Sequence, residues 1–299
     1  MNTGTTTHRI GDRGLQPCLS TLLADPFSID RATFGKAVDA LAEAGAVGLS
    51  WWTLHEIVLI GGGQTGGGMS AGDIRSRFTD AGLTVGCVEA IYGWVDAVTP
   101  AEAVADAEPS IVIAEAHGAP NLAAVCLGPE LGSMDGAAAN LAAVADRAAE
   151  SGVTVAVEFL PWTGIPDLTT CWELLQATGR RNVGVLLDSW HWHRQPGGPH
   201  GRHAETLAAM PGWAVPVLQV CDAGAEPWDD PMAECMAARP LPGDGVVDHG
   251  HLLGLLHGIG ADPVVCPEVF NRDLVADEGA AGAAHQISVA TNRVLGGLF

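Results

Sequence analysis

Four short apolar runs in the chain each end on an oxygen-bearing side chain: Val157-Glu158-Phe159, Leu187-Asp188-Ser189, Leu218-Gln219-Val220 and Pro267-Glu268-Val269. Three carboxylates brought to one place repel one another unless they are protonated or share a cation. A divalent metal resolves that conflict. Two Glu, one Asp and a Gln carbonyl make an oxygen-rich donor set, suited to Mn²⁺ or Mg²⁺, with Co²⁺ or Zn²⁺ also accepted. Glu158 and Glu268 are in addition candidates for a proton-moving pair, one taking a proton and the other returning it. His191, three residues beyond Asp188, is placed to orient a substrate or donate a proton. Glu89 closes another apolar run and is a candidate partner for substrate hydroxyls. His55 follows Trp51-Trp52 and is a candidate to reach the same place. Nine tryptophans fall mostly after such runs, among them Trp52, Trp190 and Trp192. An aromatic rim of this kind suits the apolar face of a sugar ring or cyclic metabolite.

These residues need elements to position them. Eight strand-like runs are expected: Leu15–Ser20, Ala46–Trp51, Leu83–Glu89, Leu122–Leu127, Val153–Phe159, Val183–Asp188, Val215–Cys221 and Pro263–Val269. Several are nearly continuously apolar, as parallel strands covered on both faces are. Helical runs separate them, near Asp30–Ala44, Ala71–Ala81, Pro100–His117, Asp135–Ser151, Asp167–Thr178, Arg202–Met210, His249–Gly258 and Gly279–Val294. Asp30, Asp135 and Asp167 are expected N-caps, and Gly45, Gly82, Gly152, Gly179 and Gly260 expected stops. Eight alternations in 299 residues predict an α/β fold, a single (β/α)8 TIM barrel spanning 1–299 with a flexible start over 1–14. A doubly wound sheet is the alternative, but no G-x-G-x-x-G follows the first strand. Catalytic groups of a barrel sit at the C-terminal strand ends, where Glu158, Asp188, Gln219 and Glu268 fall. The glycine-dense Gly61–Gly68 is read as a loop or lid over the barrel mouth, with no helix immediately attached.

Composition narrows the partners. Charged residues are 16% and the net charge is −21, with 14 Lys+Arg against 35 Asp+Glu. That disfavours phosphate neutralisation on nucleic acid and attraction to an anionic membrane. Met1–Asp12 is polar and resembles no secretory signal, so a cytoplasmic location is expected. The seven cysteines contain no C-x-x-C pair and are read as buried thiols. Lys36 is the only lysine, which nearly excludes Schiff-base chemistry. Pairing into a homodimer is compatible with the sequence, though no residue demands it.

The runs VAVEF, LLDSWHWHR, VLQVCDA, RPLPGDG and VCPEVF, spread from Val153 to Asn271, resemble the xylose isomerase-like barrel superfamily. That group includes sugar isomerases, ketose 3-epimerases, inosose dehydratases and apurinic-site endonucleases. The resemblance implies Glu158, Asp188, Gln219 and Glu268 as metal ligands, and His191 and Arg239 as substrate contacts. Epimerase-like members commonly carry His where this chain has Gln219. Asp222 is expected to orient Arg239 or His191. The expected activity is isomerisation or epimerisation of a sugar-like or cyclic polyhydroxy carbonyl compound through an enediolate. The substrate is expected to be neutral, because basic residues near the strand ends are sparse. A lyase of the inosose or dehydroshikimate dehydratase type is the alternative, and a non-catalytic ligand-binding barrel is the alternative of another class.

Overall fold

The computed structural model describes residues 10–62 and 68–296. Seven parallel strands run in sequence order around one sheet: β1 Gly48–Trp52, β2 Thr84–Ile91, β3 Asn121–Val125, β4 Thr154–Glu158, β5 Val183–Asp188, β6 Val217–Val220 and β7 Val264–Pro267. The helices are α1 Arg31–Glu43, α2 Thr53–Gly61, α3 Ala71–Asp80, α4 Pro100–His117, α5 Met134–Ala149, α6 Leu168–Thr178, α7 Ser189–Arg194, α8 Arg202–Ala209, α9 Pro231–Ala237, α10 His249–Gly258 and α11 Arg272–Gly296. The last bends at Gly279, whose backbone leaves the helical region. The architecture is a nearly closed α/β barrel.

The expected first strand, Leu15–Ser20, is not a regular strand. It makes single bridges to Val265 at Leu15 and to Ser50 at Cys18, then turns into a 3-10 helix at Leu19–Leu22. Pro17 has no N–H for a ladder. The segment still closes the barrel. Gln16 and Cys18 donate their N–H groups to Val265 and Pro267, while Leu15 and Pro17 accept from Val47 and Ser50. Of the stretch expected to be flexible, residues 1–9 lie outside the described residues. Ile10 is buried and Arg13 pairs with Asp262.

Asp30 and Asp167 cap α1 and α6 as expected, whereas α5 begins under Ser133 and not Asp135. Ser133 accepts from the Gly136 N–H, which the position of Asp135 inside the helix cannot do. The glycine run does not follow β1 directly, because α2 intervenes, and Gly62 ends that helix in the left-handed region. A lid over Gly61–Gly68 falls mostly on residues 63–67, outside the described residues.

Side chains alternate between two cores. Those pointing outward from the strands, such as Leu49, Trp51, Val155, Val157, Val185, Leu187, Leu218 and Val265, pack under the helices. Those pointing inward, among them Cys87, Ala123, Ala156, Leu186, Val217 and Cys266, fill the barrel. Glu89, Glu158, Asp188, Gln219 and Glu268 continue the inward series, each two residues beyond an interior residue, so the pleat itself delivers them to the barrel axis.

Candidate functional site

The inward residues meet at the C-terminal end of the barrel. Asp188 and Gln219 are paired across β5 and β6, and Trp52 is paired with Glu89 across β1 and β2. Gln219 Nε2 donates to Glu268 at 3.1 Å and to Glu89 at 3.3 Å. Glu89 also accepts from the Ser50 hydroxyl and from Trp52 Nε1 at 3.1 Å. Asp188 caps the six-residue α7, accepting the N–H groups of Trp190 and His191. That short helix swings His191 back, where Nε2 lies 3.2 Å from Glu158 Oε1.

Among the described residues, Arg239 is the single Arg or Lys in this cluster. Its Nη1 lies 2.7 Å from Asp188 and 3.1 Å from Glu268, and its Nε donates to the Cys235 carbonyl at 2.8 Å. Arg239 is 1% exposed and its nitrogens are engaged with protein, so it clamps two carboxylates while also lining the cavity above them. One guanidinium cannot balance four acids. Burial first, then neighbouring carboxylates, push Glu158 and Glu268 well above the ordinary range. Burial also raises Glu89, against the opposing hydrogen bonds from Ser50, Trp52 and Gln219.

This surplus of negative charge is what a divalent cation relieves. Among the described residues, neither the buried Gln219 Oε1 nor the buried His191 Nδ1 has a hydrogen-bond partner. Oxygen or nitrogen atoms of Glu158, Asp188 and His191 lie within 4.8 Å of one another. A second group within the same span is Cys18, Glu89 and Glu268, a thiol that residue-type reasoning did not single out. The donor set thus fits a divalent metal.

Above the carboxylates opens a cavity of about 560 Å³. Glu89, Glu158, His191, Arg239 and Glu268 form its polar end, and Trp52 and Trp162 line it. Three other candidates do not reach it. Trp190 and Trp192 are 0% and 1% exposed, Trp190 edge-on to Trp162 and Trp192 against His251. His55 is fully buried under Trp52, stacked at 5.3 Å, and its Nε2 bonds the Pro26 carbonyl at 2.8 Å. Asp222 orients neither Arg239 nor His191. It pairs with His249 and accepts the N–H groups of Gly243 and Val247, tying down the loop after α9. Residue-type reasoning missed Phe27, Met232 and Met236 in the cavity wall. Their only signal is apolar character outside any expected element.

A model of the xylose isomerase-like TIM barrel family matches residues 38–291. Among curated proteins, an inosose isomerase of Bacillus velezensis is 29% identical over 143 residues, 46% of this chain and 48% of that protein. A 3-dehydroshikimate dehydratase of Pseudomonas aeruginosa is 30% identical over 145 residues, 48% of this chain and 22% of that protein. The chain therefore spans about half the length, or less, of these relatives. Among solved structures, the IOLI protein with a bound zinc atom superposes with a TM-score of 0.77 at 20% identity, covering 95% of this chain and 99% of that one.

Proposed function

The chain belongs to the xylose isomerase-like TIM barrel family, and from that premise we propose that it is a divalent-metal-dependent isomerase or epimerase of a sugar-like or cyclic polyhydroxy carbonyl compound. The observation that carries the reading is the pair Glu158 and Glu268. They reach one cavity from non-adjacent strand ends and are left under-compensated by Arg239. Glu158, Asp188, Gln219 and Glu268 would hold the cation, with Mn²⁺ or Mg²⁺ favoured by the oxygen donors. The zinc bound by the IOLI protein supports a metal in this fold. When bound, the cation supplies positive charge that polarises a substrate carbonyl.

The chain's own residues carry the proton. One carboxylate takes the hydrogen from the carbon beside the carbonyl, giving an enediolate, and the other returns a proton. Return to the opposite face of the same carbon inverts it, and return to the neighbouring carbon moves the carbonyl, the α-hydroxyl proton passing to the former carbonyl oxygen. His191 steadies Glu158 through its Nε2 contact and faces the substrate from the cavity wall. Trp52, held by Glu89, offers a ring face to the substrate.

The test is metal analysis of the purified protein beside Glu158→Ala, followed by exchange of substrate α-hydrogens in D₂O. About one metal per chain, lost in the variant, and exchange lost in Glu268→Gln are the expected results. Wild-type protein that takes up no metal and is not stabilised by added Mn²⁺ sinks the reading. The dehydratase relative supports a second outcome of the same proton removal: the β C–O bond breaks, water leaves and a C=C bond forms. A new conjugated-enone absorbance would identify that route.

A further inference from the structure

The wall of the cavity differs in kind from its carboxylate end. Phe27, Leu54, Ile57, Tyr92, Leu127 and Met232 line it and are each about half exposed. They come from separate places: the loop before α1, α2, the ends of β2 and β3, and α9. Leu54 and Ile57, three residues apart, share one face of α2. Large apolar side chains exposed singly are ordinary, but several of them lining one concave site mark a binding surface. The charge lining is one-sided. Glu89, Asp106, Glu158 and Glu268 are acidic, and Arg239 is the one cation among the described lining residues, already bound to Asp188 and Glu268. Apart from a cation held at the carboxylate end, a substrate carboxylate or phosphate lying along the wall would find no free cationic side chain among the described lining residues. The volume, about 560 Å³, lies in the range of roughly 300–1,000 Å³ that takes drug-sized ligands.

We propose that the substrate is neutral and amphiphilic: a hydroxy-carbonyl head at the carboxylates, joined to an apolar ring system that lies along the Leu54–Ile57–Tyr92–Met232 wall. The inference rests on the reading of the carboxylate end as the reacting end, and it narrows the substrate from a free sugar to a polar head carrying an apolar body. Aromatic rings and thioethers suit a flat partner, since both pack on ring faces and edges.

A matched set of probes tests it by titration calorimetry on the full chain with Mn²⁺. Hydroxyacetone and 2-hydroxyacetophenone share one α-hydroxy-ketone head and differ by methyl against phenyl. 4-(2-Hydroxyacetyl)benzoate adds a negative charge to the phenyl ring. The phenyl ketone is expected to bind at least tenfold more tightly than the methyl ketone and at least tenfold more tightly than the benzoate. In Leu54→Ser and in Ile57→Ser, both at exposed helix positions, the phenyl-to-methyl ratio is expected to fall at least threefold. A phenyl ketone no tighter than the methyl ketone overturns the proposal, undetectable binding of both included. So does a ratio that survives both substitutions, and light scattering on Ile57→Asp would then show whether the wall joins two copies of the chain. Exchange of the α-hydrogens in D₂O separates the two readings. A phenyl preference without exchange removes the isomerase reading alone, whereas exchange without a preference removes this inference alone.

Discussion

At the scale of single residues, Arg239 has a structural duty that the family resemblance did not imply. The resemblance implied a substrate contact; the guanidinium lines the cavity and is at the same time held between Asp188, Glu268 and the Cys235 carbonyl. Removing one partner from a buried ionic cluster leaves the others uncompensated, at a cost of about 3–5 kcal/mol. Arg239→Met is therefore expected to lose about that much stability in urea unfolding, and added Mn²⁺ is expected to restore more of it than in the wild type. Arg239→Lys should fall between, because an ammonium lacks the planar fork that reaches two carboxylates and a carbonyl together. The convergence of Glu158, Asp188, Gln219 and Glu268 was legible because each ends an apolar strand run. What was not legible was which neighbours face inward. Trp51 and Trp52 are adjacent and alike in type, but the pleat sends the first into the helix layer and the second into the cavity. Trp190 and Trp192 lie on a helix of one and a half turns that no periodicity reveals, so their burial could not be anticipated.

At the scale of elements, α2 is the main surprise, and it builds one wall of the cavity. Its run TLHEIVLIG is short, its N-cap Trp52 makes no side-chain capping bond, and its end merges with the glycine run, so none of the usual boundary signals stands out. Helices α1, α4 and α10 were legible from their helical runs, with Asp30 marking the start of the first. α2 is anchored at His55, buried beneath Trp52 and bonded to the Pro26 carbonyl. Burial depresses the His55 pKa from 6.5 to about 4. The folded protein therefore keeps this ring neutral while the unfolded chain protonates below pH 6.5. Its contribution is fully present above pH 6.5 and is lost as pH falls to about 4. The loss amounts to about 3 kcal/mol. In His55→Gln, which retains a donor for Pro26, unfolding free energies measured from pH 7 to 4 should lack that share of the acid sensitivity. A variant whose profile parallels the wild type would remove His55 as its source.

At the scale of the whole molecule, barrel closure and charge act together. The alternation of eight apolar runs made the architecture legible, but the first run closes the ring through four backbone bonds around Pro17 and not as a ladder of its own. Pairing to β7 and β1 across that seam depends on long-range geometry, which local pattern does not carry. The closed barrel concentrates acidic groups at one end, on a chain of net charge −21. Two kinds of cation relief follow, with different signatures. General self-repulsion is screened by any salt, because the Debye length falls from about 30 Å at 0.01 M to about 8 Å at 0.15 M. Raising NaCl across that interval should raise Tm gradually in the wild type and in Glu158→Ala alike. A divalent ion held by the buried carboxylates stabilises by binding, so its effect follows its own saturation curve and not ionic strength. Millimolar MnCl₂ at fixed ionic strength should raise the wild-type Tm further and leave Glu158→Ala unmoved. Equal Mn²⁺ shifts in the two proteins would assign the effect to the surface charge as a whole and remove the barrel end as its origin.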